Sequence, residues 1–122
     1  MSRSRQAKAR EFNARARKEI IKRDRGECIF CAMGYRMEGG PEFAKEIKGI
    51  MHYIPRSKNG LGIPQNGGLG CQYHHEMMDN GNRGFRGEML EMFKEYLKSH
   101  YPGWDERELV YSKWGFLEGG EA

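Results

Sequence analysis

The chain has 122 residues, enough for about one domain, of which 38% are hydrophobic, 31% charged and 17 are glycine, with a mean hydropathy of -0.87. That balance predicts a thin apolar core, and three cysteines exclude a disulfide framework that pairs every thiol. No stretch approaches the roughly 20 apolar residues of a membrane span, and no N-terminal apolar run resembles a signal peptide, so the expectation is a soluble, cytoplasmic protein with no membrane contact.

The net charge of +4 is unevenly spread: residues 1–25 hold ten Lys/Arg and three Asp/Glu, the rest eleven and fourteen. A basic arm of that kind is the electrostatic footprint of a phosphate-backbone contact, or else a solvated helix face. Residues 5–24 read as one helix, with Phe12, Ala16 and Ile20 recurring every four residues as an apolar stripe. Gly26 is its stop. Glycines 34, 39 and 40 with Pro41 predict a loop over 32–41. Residues 47–54 are the best strand candidate, ended by Pro55, which cannot donate to a ladder. The Gly-rich run 57–70 predicts a loop and a short return strand around Ile63 or Leu69. A short helix follows from Cys71 to about Asp79, then a longer one at about 86–100 with Met89, Leu90, Phe93, Tyr96 and Leu97 as its core face. Pro102-Gly103 breaks that helix, Asp105 caps a short turn, and residues 115–122 form a frayed tail.

Two short pairs carry the chemistry. Cys28-Ile29-Phe30-Cys31 can present two thiolates to one metal from a tight turn, and Cys71 with His74 stand at i and i+3. Together they supply the four soft ligands of a tetrahedral zinc site, with 39 residues looping between the pairs. Structural zinc contributes on the order of 10–16 kcal/mol of coupled folding energy in small modules. Spacing alone leaves two alternatives open: His75 in place of His74 as fourth ligand, and a redox pair at Cys28 and Cys31. A zinc closed by these residues would bring His52, Asn66 and His75 near one another.

His52-Tyr53-Ile54-Pro55-Arg56-Ser57, then Asn66, then Gly70-Cys71-Gln72-Tyr73-His74-His75, preceded by the Cys-x2-Cys knuckle, resembles the zinc-stapled branch of the HNH (ββα-metal) endonuclease family, common in phage and mobile-element genomes. The resemblance spans roughly residues 26–80 and implies His74 in the zinc slot and His75, nine positions after Asn66, in the terminal His slot. It further implies His52 as general base, His75 as a ligand of a catalytic Mg²⁺ or Mn²⁺, and Asn66 as the residue that orients the base or pins its loop. Arg56 and Lys58 are candidates for the phosphate backbone, as are Arg10, Arg17 and Lys18 of the basic arm. Met51 departs from the pattern, standing where the family places an Asp or His ligand; a thioether suits Mg²⁺ or Mn²⁺ poorly. Asp79, four residues after His75, is the candidate replacement.

These observations predict an α+β fold: a small zinc-stapled ββα-metal finger over residues 27–82, flanked by a basic helix (1–26) and C-terminal helices (83–114), all in one nuclease domain. The expected activity is metal-dependent hydrolysis of DNA with low intrinsic sequence specificity, RNA remaining open and a phage packaging or other DNA-processing protein being a plausible partner. The alternative is a non-catalytic zinc module that binds nucleic acid.

Overall fold

The computed structural model describes residues 5–80 and 84–112. It is a small α+β structure in which short helices surround one two-stranded antiparallel sheet. Among the described residues no helix is long and apolar enough to cross a membrane.

The basic stretch expected as one helix is two. Helix α1 (Arg5–Ala9) stops after little more than a turn, residues 10–13 are irregular, and α2 (Ala14–Arg23) starts afresh. Asn13 causes the restart: its side-chain oxygen accepts the Ala16 N–H at 2.8 Å, satisfying a donor that has no partner within the helix. Ala16 and Ile20 form the buried face of α2, while Phe12 precedes the helix. The chain turns at Gly26 as expected, at φ +69°.

Two short helices follow, α3 (Ile29–Ala32) and α4 (Glu42–Glu46), with turns between them; α4 has no counterpart in the sequence reading. Strand β1 (Lys48–His52) is shorter at both ends than the expected 47–54. It pairs with β2 (Gly67–Cys71) from Lys48 opposite Cys71 to His52 opposite Gly67. The return strand is therefore the one around Leu69, and Ile63 instead leads into a 3₁₀ turn at Pro64–Asn66.

All five residues of β2 are buried. Its glycines are the reason neighbours can close on it. A Cβ at Gly67 would lie 2.6 Å from the Phe12 ring, at Gly68 3.0 Å from Phe93, and at Gly70 2.3 Å from the Met51 sulfur. A strand this poor in side chains has no alternation to read, so close packing identifies it where periodicity cannot.

Strand β2 runs without a loop into α5 (Gln72–Asn80), and α6 (Arg86–His100) packs across the assembly. Met89, Phe93 and Leu97 of α6 are buried with Phe30, Met51, Met77 and Met78, and Leu90 and Tyr96 pack against this core. Phe93 sits edge-on to Tyr53 with centroids 5.6 Å apart. Helix α6 ends before Pro102, and Asp105 caps the 3₁₀ turn Glu106–Leu109 by accepting the Arg107 N–H at 2.9 Å. The expected frayed tail, 115–122, lies outside the described residues.

One buried ion pair ties these parts together. The Asp24 carboxylate accepts from Arg23 Nε at 2.7 Å, from the Leu69 N–H at 2.8 Å and from the Tyr96 hydroxyl. Arg23 donates a second bond to Asp24 at 3.0 Å and spends its other donors on the carbonyls of Pro64 at 2.9 Å and Gly67 at 2.7 Å and on the Tyr101 hydroxyl at 3.2 Å. The pair thus joins α2, β2 and α6, and no polar atom in it goes unsatisfied. Removing one partner of a buried pair leaves the other charge uncompensated. Asp24→Ala is therefore expected to lower the stability of the metal-loaded protein by about 3 kcal/mol or more, read from urea unfolding.

Candidate metal centre and adjoining cleft

The donor atoms of Cys28, Cys31, Cys71 and His74 all lie within 4.8 Å of one another, and this cluster could hold a metal ion such as zinc. A tetrahedral ion about 2.3 Å from sulfur and about 2.0–2.1 Å from nitrogen sets neighbouring donors roughly 3.5–3.8 Å apart. Four of the six spacings are close to that size: Cys31 Sγ to Cys71 Sγ is 3.7 Å, and His74 Nδ1 is 3.6, 3.5 and 3.3 Å from the sulfurs of Cys28, Cys31 and Cys71.

Local structure aims each donor. Cys28 caps α3, its sulfur accepting the Cys31 N–H at 3.4 Å, and Cys71 does the same for the His74 N–H at 3.4 Å across the junction of β2 and α5. The turn after α3, made possible by Gly34 at φ +70°, brings the Tyr35 carbonyl to 2.6 Å from His74 Nε2. That carbonyl can only accept, so the proton sits on Nε2 and the Nδ1 lone pair faces the three sulfurs. Burial pushes the Cys28 and Cys31 thiols up and the His74 imidazole down. Thiolates in this pocket need a cation among them, so metal uptake would release protons. The pocket answers the question left open by spacing: His74, not His75, completes the set.

Consecutive residues of a helix diverge by about 100°, and His75 accordingly faces a different space. It lines an open cleft of about 600 Å³ with His52, Ile50, Asp79, Arg17, Arg56 and Arg86. His75 Nε2 is 3.0 Å from Asp79 Oδ2, so the expected i,i+4 pair is formed. His52 stands at the end of β1, half buried, its Nε2–H donating to the Arg10 carbonyl at 2.8 Å. Burial lowers its pKa, with Arg56 and His75 adding repulsion against the charged form.

Asn66 is not in the cleft but behind it, fully buried. Its side-chain oxygen accepts the Ile54 N–H at 2.8 Å, and its amide donates to the carbonyls of Ile54 at 3.1 Å and Leu61 at 2.8 Å. It pins the chain directly after His52. Met51 alternates with His52 along β1 and is fully buried in the core, so nothing at that position reaches the cleft; Ile50 does.

Of the basic residues singled out, Arg17 and Arg56 line the cleft. Arg10 instead donates to the Arg56 carbonyl at 3.0 Å, while Lys18 and Lys58 are exposed without lining the cleft. Sequence reasoning missed Arg86, which donates to the Met78 carbonyl at 2.9 Å and approaches Asp79 at 3.9 Å. It also missed Glu11 and Phe12 as cleft walls. Their signal lay in the Asn13 cap, which breaks the basic stretch and frees residues 10–12 to leave the helix path.

No protein-family model, curated protein or solved structure matches the chain. The donor geometry makes two predictions. The protein should take up one equivalent of zinc, and Cys71→Ser should lose tight binding and unfold cooperatively at lower urea; metal analysis and circular dichroism check both. The second concerns His52. A depressed folded pKa means that the folded state binds the proton less well than the unfolded one, so the His52 contribution to stability is present above about pH 6.5 and lost as pH falls below it. An NMR titration should place the His52 midpoint below that of an unstructured histidine.

Proposed function

We propose that this chain is a metal-dependent endonuclease of the HNH (ββα-metal) type that hydrolyses phosphodiester bonds in DNA. The observation that carries the reading is the placement of His52 and the His75–Asp79 pair on walls of one open cleft, at the ends of a strand–strand–helix unit beside a Cys3His cluster. An imidazole held neutral by burial can take a proton from a water molecule at pH 7. Arg17, Arg56 and Arg86 put positive charge where a phosphate would sit. His75 and Asp79 are the residues that would hold Mg²⁺ or Mn²⁺; such an ion, when bound, polarises the scissile phosphate and stabilises the leaving oxygen. The Cys3His cluster would hold structural zinc on this reading, and a DNA-processing partner would supply sequence choice.

One observation favours a second reading, a zinc-containing module that binds nucleic acid without cutting it. Met51 points into the core, so the position where the family carries a further ligand has none, and the pair facing the cleft is a single His and a single carboxylate. Cleavage separates the two. Supercoiled plasmid incubated with Mg²⁺ or Mn²⁺ should be nicked by the wild-type protein. His52→Ala, with its zinc content unchanged, should be slower by about 10²–10⁴-fold, the usual contribution of a general base. Asp79→Ala should need a higher divalent-ion concentration for half-maximal rate. Salt-sensitive plasmid binding without nicking by any form would leave the binding module.

A further inference from the structure

We propose that residues 9–12 form a strap that locks the His52 imidazole as its Nε2–H tautomer, leaving Nδ1 as the proton acceptor. The catalytic meaning of this lock rests on the nuclease reading above, but the lock itself is a property of the folded chain.

The chemistry of the contact requires the tautomer. His52 Nε2 meets the Arg10 main-chain oxygen at 2.8 Å, and a carbonyl has no proton to give. In the neutral ring the lone pair must then be on Nδ1. Phe12 lies against the same ring, centroids 4.4 Å apart, and opposes rotation about the Cβ–Cγ bond.

The strap is held independently of His52. Gln6 donates to Asn59 Oδ1 at 2.5 Å, the Gly62 N–H to the Ala9 carbonyl at 2.8 Å, and Arg10 to the Arg56 carbonyl at 3.0 Å. A Cβ at Gly62 would lie 2.1 Å from the Glu11 carbonyl carbon, so only glycine lets the two segments touch there. The loop that receives the strap is the one Asn66 pins through Leu61, and Asn13 starts α2 directly beyond it. A segment outside the His-Asn-His stretch thus completes the orientation of its first histidine. A free imidazole in water exchanges between tautomers, and a base whose lone pair is on the wrong nitrogen is inactive, so fixing the tautomer is a positioning role. Arg10, expected as a phosphate contact, has this role through its backbone oxygen.

The test reads the tautomer by long-range ¹H–¹⁵N NMR of the full, zinc-loaded chain at pH 8, with His52→Gln to assign the signals. Wild-type protein is expected to show a protonated Nε2 and an unprotonated Nδ1. In Gly62→Val, which displaces the strap, and in Phe12→Ala, which removes the ring contact, both signals should move toward the averaged position of a mixed imidazole. Phe12→Tyr should keep the wild-type pattern. Plasmid nicking should fall by about ten- to a hundredfold in the first two variants, the usual cost of losing a group that orients another. A wild-type His52 that is already averaged, or protonated on Nδ1, overturns the proposal. So does an unchanged pattern in Phe12→Ala, which decides alone where Gly62→Val fails to fold. A locked wild-type tautomer that the two variants release, in a protein that nicks nothing, supports the strap and counts against the nuclease reading only.

Discussion

Four donor atoms from two pairs of residues, with 39 residues between the pairs, meet at the spacing one small cation could bridge, and the elements around them are arranged to bring them there. That spacing is a strict demand because soft-metal sites tolerate errors of only about 0.2 Å in bond length. It is met by short-range devices: a cysteine capping a one-turn helix, a strand that becomes a helix without a loop, and a glycine turn that delivers a carbonyl to the outer nitrogen of His74. Each is too weak to hold a fold alone. Joined at one point they give a chain with a small apolar core a rigid centre.

The sheet carries that rigidity outward. β2 has almost no side chains, and for that reason Phe12, Phe93 and Met51 can press on it from different sides. The Arg23–Asp24 pair then ties β2 to α2 and to Tyr96 of α6 with every polar group matched. His52 ends β1 directly opposite Gly67, and its orientation is inherited from this packing, from Asn66 behind it and from the segment before α2.

What could be read from the sequence was what depends on local spacing. The Cys-x2-Cys and Cys-x2-His pairs gave the cluster, the stripe on residues 86–100 gave α6, and the i,i+4 relation gave the contact between His75 and Asp79. What could not be read depends on contacts between distant segments. The glycines of β2 look like loop because their meaning lies in which neighbours they admit. The basic stretch looks like one helix because the Ala, Arg, Lys and Glu on both sides of Asn13 favour a continuous helix, and they mask the N-cap preference of Asn13 that its bond to the Ala16 N–H expresses. Met51 shows the same limit: the motif marks the position, but only the pleat of β1 decides whether it faces the cleft or the core.

The adjacency of His74 and His75 has a consequence for how such a chain can change. One side chain closes the cluster and the next faces the cleft, about a third of a turn away on the same helix. A one-residue insertion just after Cys71 would rotate both imidazoles out of place together, whereas a one-residue deletion there would carry His75 into the slot that His74 holds and away from the cleft. The start of α5 thus works like a keyed shaft, whose rotational setting decides at once which imidazole meets the sulfurs and which meets the cleft.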